Sequence, residues 1–119
     1  MSEFSFEPVE EFEKDLKRLL KKYKSLESDL EILKKVIPVN PAGIPGKIVQ
    51  ISDLGLLNSK VFKVRRFRCS SLKGKGSNSG IRVIYGYFIN KPEKVTFVEI
   101  YIKAEKENED RDRIKKYFS

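Results

Sequence analysis

Ile81-Arg82-Val83-Ile84-Tyr85-Gly86-Tyr87-Phe88-Ile89 reads as a β-strand that is apolar on both faces. Period-two alternation puts Ile81, Val83, Tyr85, Tyr87 and Ile89 on one side and Ile84 and Phe88 on the other. A strand buried on both faces belongs in the middle of a sheet. The runs on either side, Val61 to Cys69 and Val95 to Lys103, are also rich in β-branched and aromatic residues and read as its neighbours. Asn90 to Lys94, with Pro92, makes the second connection a hairpin turn, and Lys73 to Gly80 makes the first a longer loop rich in Gly and Ser. In the last run Thr96, Val98, Ile100 and Ile102 form the expected core face. Phe97, Glu99, Tyr101 and Lys103 face the other way.

Toward the N-terminus, Phe4 and Phe6 alternate with Ser5 and Glu7, which allows a short opening strand before Pro8 sets up a helix at its first turn. Val9, Phe12, Leu16, Leu19 and Tyr23 recur at helical spacing. Glu10, Glu11, Glu13 and Asp15 precede Lys17, Arg18, Lys21 and Lys22, an order that complements the helix dipole. Ser25 is the expected cap of a second helix carrying Leu26, Leu30, Leu33 and Ile37 on one stripe, ended by Pro38. A short turn between them makes an αα-hairpin. From Pro38 to Ser59 the chain is irregular, punctuated by Pro41, Gly43, Pro45 and Gly46, with room for a short strand over Lys47 to Ile51. So long a connection in a small domain tends to be functional or mobile and is a place for partner contacts. A final helix from about Asn108 carries Ile114, Tyr117 and Phe118 on its apolar side, with Lys115 and Lys116 near its end. The expected architecture is one α+β domain over residues 1–119. In it an N-terminal αα-hairpin packs on a small, mainly antiparallel twisted sheet with a C-terminal helix.

At 119 residues the chain has the length of a single domain. Its 39% hydrophobic and 35% charged residues are those of a globular protein, and no apolar run approaches the ~18 residues of a membrane span. The acidic start lacks the basic and apolar regions of a secretory signal, so a cytoplasmic location is expected. Cys69 has no second cysteine to pair with and reads as a strand position rather than a reactive group. Charge is the stronger signal. Residues 1–59 hold 9 Lys or Arg against 10 Asp or Glu, whereas residues 60–119 hold 16 against 7. Nine cations and no acid lie between Lys60 and Lys91, and such clustering predicts a polyanionic partner.

With no histidine, the chain has no Ser-His-Asp triad, no Cys-His pair and no histidine-based metal site. Cleaving RNA requires taking the proton of a 2′-hydroxyl, stabilising charge on the phosphate and protonating the departing 5′-oxygen. Lys, Arg and Tyr cover these roles. A lysine among other cations is pushed toward its neutral form, arginine clamps phosphate, and tyrosine donates a proton or stacks on a base. Alternation along the first strand puts Lys63 and Arg65 on one side and Arg66 and Arg68 on the other. The Lys73 to Gly80 stretch is no P-loop, because it lacks the Gly-Lys-Ser/Thr ending and leads into a strand. It is read as a hairpin loop whose Lys73 and Lys75 reach RNA. Arg82 interrupts an otherwise apolar strand, and two explanations stand: a salt bridge to Glu99, or phosphate binding. Tyr85, Tyr87 and Tyr101 are either packing residues or contributors to the site. Tyr101 gains from sharing a face with Glu99 and Lys103, and Glu99 is itself either a base or an organiser of nearby cations.

Ser79-Gly80-Ile81-Arg82-Val83-Ile84-Tyr85 and Glu99-Ile100-Tyr101-Ile102-Lys103-Ala104-Glu105-Lys106 resemble the RelE/ParE toxin superfamily, and its HigB-like members most. The shared order is a basic strand (Phe62 to Arg68), a Gly-Lys-Gly loop (Gly74 to Gly76), a Gly-x-Arg-Val-Ile-Tyr strand (Gly80 to Tyr85) and an Ile-Tyr-x-Lys strand end (Ile100 to Lys103) followed by a short helix. The likeness covers Lys60 to Phe118, and the two N-terminal helices in pattern only. It implies ribosome-dependent mRNA cleavage without a metal or other cofactor, inhibition of translation, neutralisation by a cognate antitoxin, and helices packed against one face of a compact sheet. By the same resemblance the functional positions fall on Lys63, Arg65, Arg66, Arg68, Arg82 and Lys103. The expected roles are Arg66, Arg68 and Arg82 clamping phosphate, Lys63, Lys73 or Lys103 supplying the base and Tyr101 assisting, with Lys73, Lys75 and Tyr85 contacting RNA. Where many relatives have an arginine at the end of the last strand, this chain has Lys103-Ala104 and then acids, and Ile48 to Ser59 looks like an insertion. The alternatives are a non-catalytic ParE-like toxin that binds DNA gyrase and an RNA-binding domain without chemistry. Complexes with the antitoxin or with further copies of the chain are further expectations, and a membrane partner is not expected.

Overall fold

A computed structural model describes residues 3–72 and 79–119. In chain order its elements are β1 (Ser5–Pro8), α1 (Glu10–Leu20), α2 (Leu26–Val36), a 3-10 turn (Ile37–Val39), β2 (Ile48–Gln50), β3 (Ser59–Val64), β4 (Ile81–Phe88), β5 (Lys94–Ile102) and α3 (Arg111–Phe118). The strands form one mixed sheet in the order β1-β5-β4-β3-β2. Among the described residues only the β1-β5 pair is parallel. The fold is therefore α+β, with β4 in the centre as its two apolar faces require. The expected Gly-Lys-Gly loop with Lys73 and Lys75 lies outside the described residues.

α1 and α2 share one core with the sheet, into which Phe12, Leu19, Leu26, Leu30 and Leu33 pack against Phe62, Val83, Tyr85 and Phe97. Acids in the first turn of α1 and bases in its last support the helix, as its sequence order predicts. Pro8 ends β1 instead of opening α1, because Val9 caps the helix and donates its amide to the Phe97 carbonyl at 3.0 Å. Ser25 stands at the cap position of α2 without capping it through its side chain. Its hydroxyl instead donates to Asp29 at 2.7 Å and accepts from the Ser71 amide at 2.8 Å. Ser70 donates its amide and hydroxyl to the same buried Asp29 at 3.1 and 2.7 Å. These bonds draw the chain after β3 beneath α2, so the strand expected to reach Cys69 stops at Val64. Arg65 turns away, its amide donating to Lys47 at 2.7 Å, while Phe67 and Cys69 enter the helix-side core.

The register of β5 departs from simple alternation. Ile84 pairs with Glu99 and Tyr85 with Phe97, so Val98 is the extra residue of a β-bulge. The bulge puts Phe97 and Ile100 together on the α1 side and Val98 and Tyr101 on the opposite side. The expected faces, Thr96-Val98-Ile100-Ile102 against Phe97-Glu99-Tyr101-Lys103, are thus corrected across the bulge.

α3 covers that opposite side. Ile114 and Phe118 pack on Val61, Ile84, Val98 and Tyr101, so the helices lie on both faces of the sheet and not on one, as the resemblance implies. Gly86 makes room for the end of α3: a Cβ there would stand 2.8 Å from the Lys60 carbonyl oxygen and 2.9 Å from the Phe118 ring. β1 flanks β5 only as far as Phe97, and beyond it side chains of α1 meet α3 around the sheet edge. Arg113 donates to Asp15 at 2.7 Å and to the Val98 carbonyl at 3.0 Å, while Lys116 lies 3.1 Å from Glu11, which also accepts from the Tyr117 hydroxyl. The Tyr117 hydrogen bond first, then a bond from Glu11's own backbone amide and the Lys116 ammonium, lower the Glu11 carboxyl to about 2 from the usual 4.5. A depressed carboxyl stabilises the fold above its unfolded value and stops doing so once protonated. Stability contributed by Glu11 is therefore expected to disappear as pH falls from about 4.5 to about 2, and Glu11→Gln to flatten that limb of an acid-unfolding curve. An unchanged limb in the variant would show that this bond does not tie α3 to α1.

Candidate functional site

Strand direction decides which cations meet. β3 and β5 both run antiparallel to β4, so the end of β3, the start of β4 and the end of β5 share one end of the sheet. Lys63 lies near the end of β3, Arg65, Arg66 and Arg68 follow it, Arg82 opens β4, and Lys103 follows β5 with its amide donating to Gly80 at 2.8 Å. These residues are split between the two faces. Arg66 and Arg68 line a cavity of about 230 Å³ on the α2 side with Asp29, Ile32, Val36 and Lys47. Lys63, Arg82 and Tyr101 occupy the α3 side, with Arg82 directly opposite Tyr101 in the β4-β5 ladder. Arg65 and Lys103 are exposed at the rim.

Tyr85 is part of neither group. Its ring is 1% exposed and stacks on Phe62 at 5.4 Å within the helix-side core, where no RNA base reaches it. This corrects the expected contact to RNA. Burial pushes its phenol well up.

On the α3 side one residue stands out that was not expected from the sequence. Glu109, in the connection between β5 and α3, places Oε1 2.7 Å from Lys63 Nζ and Oε2 3.4 Å from Arg111 Nε. Its side chain is only 5% exposed. Burial pushes the carboxyl up, but the Lys63 ammonium and the Arg111 guanidinium outweigh burial and hold it below the usual carboxylate range. Lys63 therefore faces a carboxylate instead of other cations, and the like-charge repulsion expected of a lysine base is missing at that position.

Glu99 is 1% exposed and fully engaged: it pairs with Lys106 and accepts the Asp110 amide at 2.8 Å, closing the entry to α3. The salt bridge from Arg82 to Glu99 is not formed. Half-buried Arg82 has no acidic partner within 4 Å among the described residues, an arrangement that favours an external anion. Next to it, the Tyr101 hydroxyl is buried and has no hydrogen-bond partner among the described residues. Burial first, then the charges of Glu109 and Glu99 against that of Arg82, push this phenol up to about 12. At neutral pH it is a protonated donor awaiting an acceptor.

Among the described residues no group of three Cys, Asp or Glu side chains is placed to hold a metal ion, and no helix is long and apolar enough to cross a membrane. Comparison with protein-family models, with curated proteins and with solved structures gives no match.

Proposed function

We propose that the chain is an RNA-cleaving toxin domain of the RelE type, acting on mRNA in the ribosome and held in check by a cognate antitoxin in the cytoplasm. The observation that carries this reading is Arg82, a half-buried cation without an acidic partner among the described residues, set opposite a buried tyrosine hydroxyl that lacks an acceptor. Arg82 holds the scissile phosphate and neutralises the charge that grows on it. The neutral amine form of Lys103, exposed at the rim, takes the proton of the 2′-hydroxyl and becomes an ammonium. The 2′-oxygen then attacks phosphorus, the bond to the 5′-oxygen breaks, and Tyr101 protonates that leaving oxygen. Arg65, Arg66 and Arg68, at the same end of the sheet, bind flanking phosphates. The sequence resemblance and the acid-free basic stretch point to the same partner class.

One observation favours a second reading, RNA binding without cleavage: Lys63, Glu99 and Glu109 are all tied up in ion pairs. Induced expression in cells, with mapping of mRNA 5′ ends, separates the readings. Growth arrest with codon-positioned cuts is the expected result. Arrest with intact mRNA and damaged DNA would point to a gyrase-binding toxin, and intact mRNA without arrest would leave RNA binding alone.

A further inference from the structure

Glu109 is an acid placed where a phosphate-binding site would want none. It sits at the phosphate-binding end of the sheet, on the same face as Arg82 and Tyr101, and it engages two cations, Lys63 at 2.7 Å and Arg111 at 3.4 Å. Each of its carboxylate oxygens meets a different cation, as two oxygens of a phosphodiester would. The fit is incomplete: the Tyr101 hydroxyl on the same face is buried without a hydrogen-bond partner among the described residues. An occupant well matched to this pocket would also accept from that hydroxyl. We propose that Glu109 is a built-in occupant of the RNA site, a carboxylate standing in for a phosphate, which RNA must displace before Lys63 and Tyr101 can act.

The chain around Glu109 suits displacement. Residues 103–110 form neither helix nor strand; Glu105 and Lys106 donate their amides to the Ile102 carbonyl at 3.0 Å, and Glu99 holds the Lys106 side chain and the Asp110 amide. With Asp110 pinned in this way and α3 tied to α1 through Arg113 and Lys116, the Glu109 side chain can rotate off Lys63 and Arg111 while the backbone and α3 stay in place. A tethered carboxylate competes at a high effective concentration, and the apparent affinity for RNA falls by the fraction of molecules in which the site is free.

This inference rests on the proposed RNA-binding function, and its test distinguishes the two. Binding of a short single-stranded RNA is measured for the wild-type protein, for Glu109→Gln and for the double variant Glu109→Gln with Lys63→Gln. Glu109→Gln is expected to bind roughly tenfold more tightly than wild type, and the double variant to lose that gain. Equal binding by wild type and Glu109→Gln overturns the occupant while leaving RNA binding intact. No binding by any form overturns the proposed function and the occupant with it. The carboxyl carbon resonance of Glu109 in the unaltered protein gives a second readout that does not depend on the variants folding. Adding RNA is expected to shift that signal as the ion pairs with Lys63 and Arg111 break, and an unchanged signal overturns displacement.

Discussion

Arg82→Ala is expected to abolish growth arrest on induction and to slow RNA cleavage by about 10²–10³-fold, with the fold intact. The magnitude follows from the role. A cation held at the edge of a low-dielectric sheet face, with no acid to neutralise it among the described residues, stabilises developing phosphate charge far more than an exposed lysine does. The fold survives for the same reason: with no salt bridge to break, the substitution leaves no orphaned acid behind. Urea unfolding should therefore place the variant within about 1 kcal/mol of wild type. Arg82→Lys keeps the charge but not the planar fork, so it should restore only part of the rate. Full toxicity in Arg82→Ala would remove the site from this face.

That arginine was legible in the sequence because an apolar strand makes a lone cation conspicuous. What surrounds it was legible only in part. The central position of β4 followed from its two apolar faces, and the helix-side core from the spacing of Phe12, Leu19, Leu30 and Leu33. Alternation failed at Val98, where one inserted residue exchanges the faces of everything before it, and no residue type in Phe97-Val98-Glu99 marks a bulge. It failed again after Val64, where Asp29, on a distant helix, captures Ser70 and pulls the chain off the sheet. Propensity along Val61 to Cys69 has no access to that long-range bond.

The site shows the same limit. Glu109 lies 46 positions from Lys63, in an acidic run without periodicity that reads as solvated surface. The stretch from Lys60 to Lys91 holds no acid, yet Glu109, from the chain after β5, folds back onto Lys63. On the strand pattern Tyr85 and Tyr101 are both candidates, with Tyr101 favoured by the face it shares with Glu99 and Lys103. The sheet separates them, placing one against Phe62 in the helix-side core and the other beneath α3.

Tyr101→Phe separates function from stability. The hydroxyl is buried without a partner among the described residues, and an unsatisfied buried polar group costs about 1–3 kcal/mol. Deleting it is expected to stabilise the protein by about that amount and to raise Tm by about 4 °C or more. The same deletion removes the proton donor and should slow cleavage by about 10²-fold or more. Alkaline pH supplies a second signature. A phenol held near 12 in the fold, against 10 unfolded, favours the native state below pH 10 and gives up that advantage as pH rises toward 12. The variant should therefore lose less stability than wild type across that interval. Two measurements on one protein decide the matter. Unfolding at lower denaturant than wild type would show that the hydroxyl is satisfied in solution, and an unchanged cleavage rate would show that it donates nothing to the leaving oxygen. A more stable and less active protein is the expected outcome, because a donor kept waiting in the free protein for an acceptor that RNA brings is a cost borne for function.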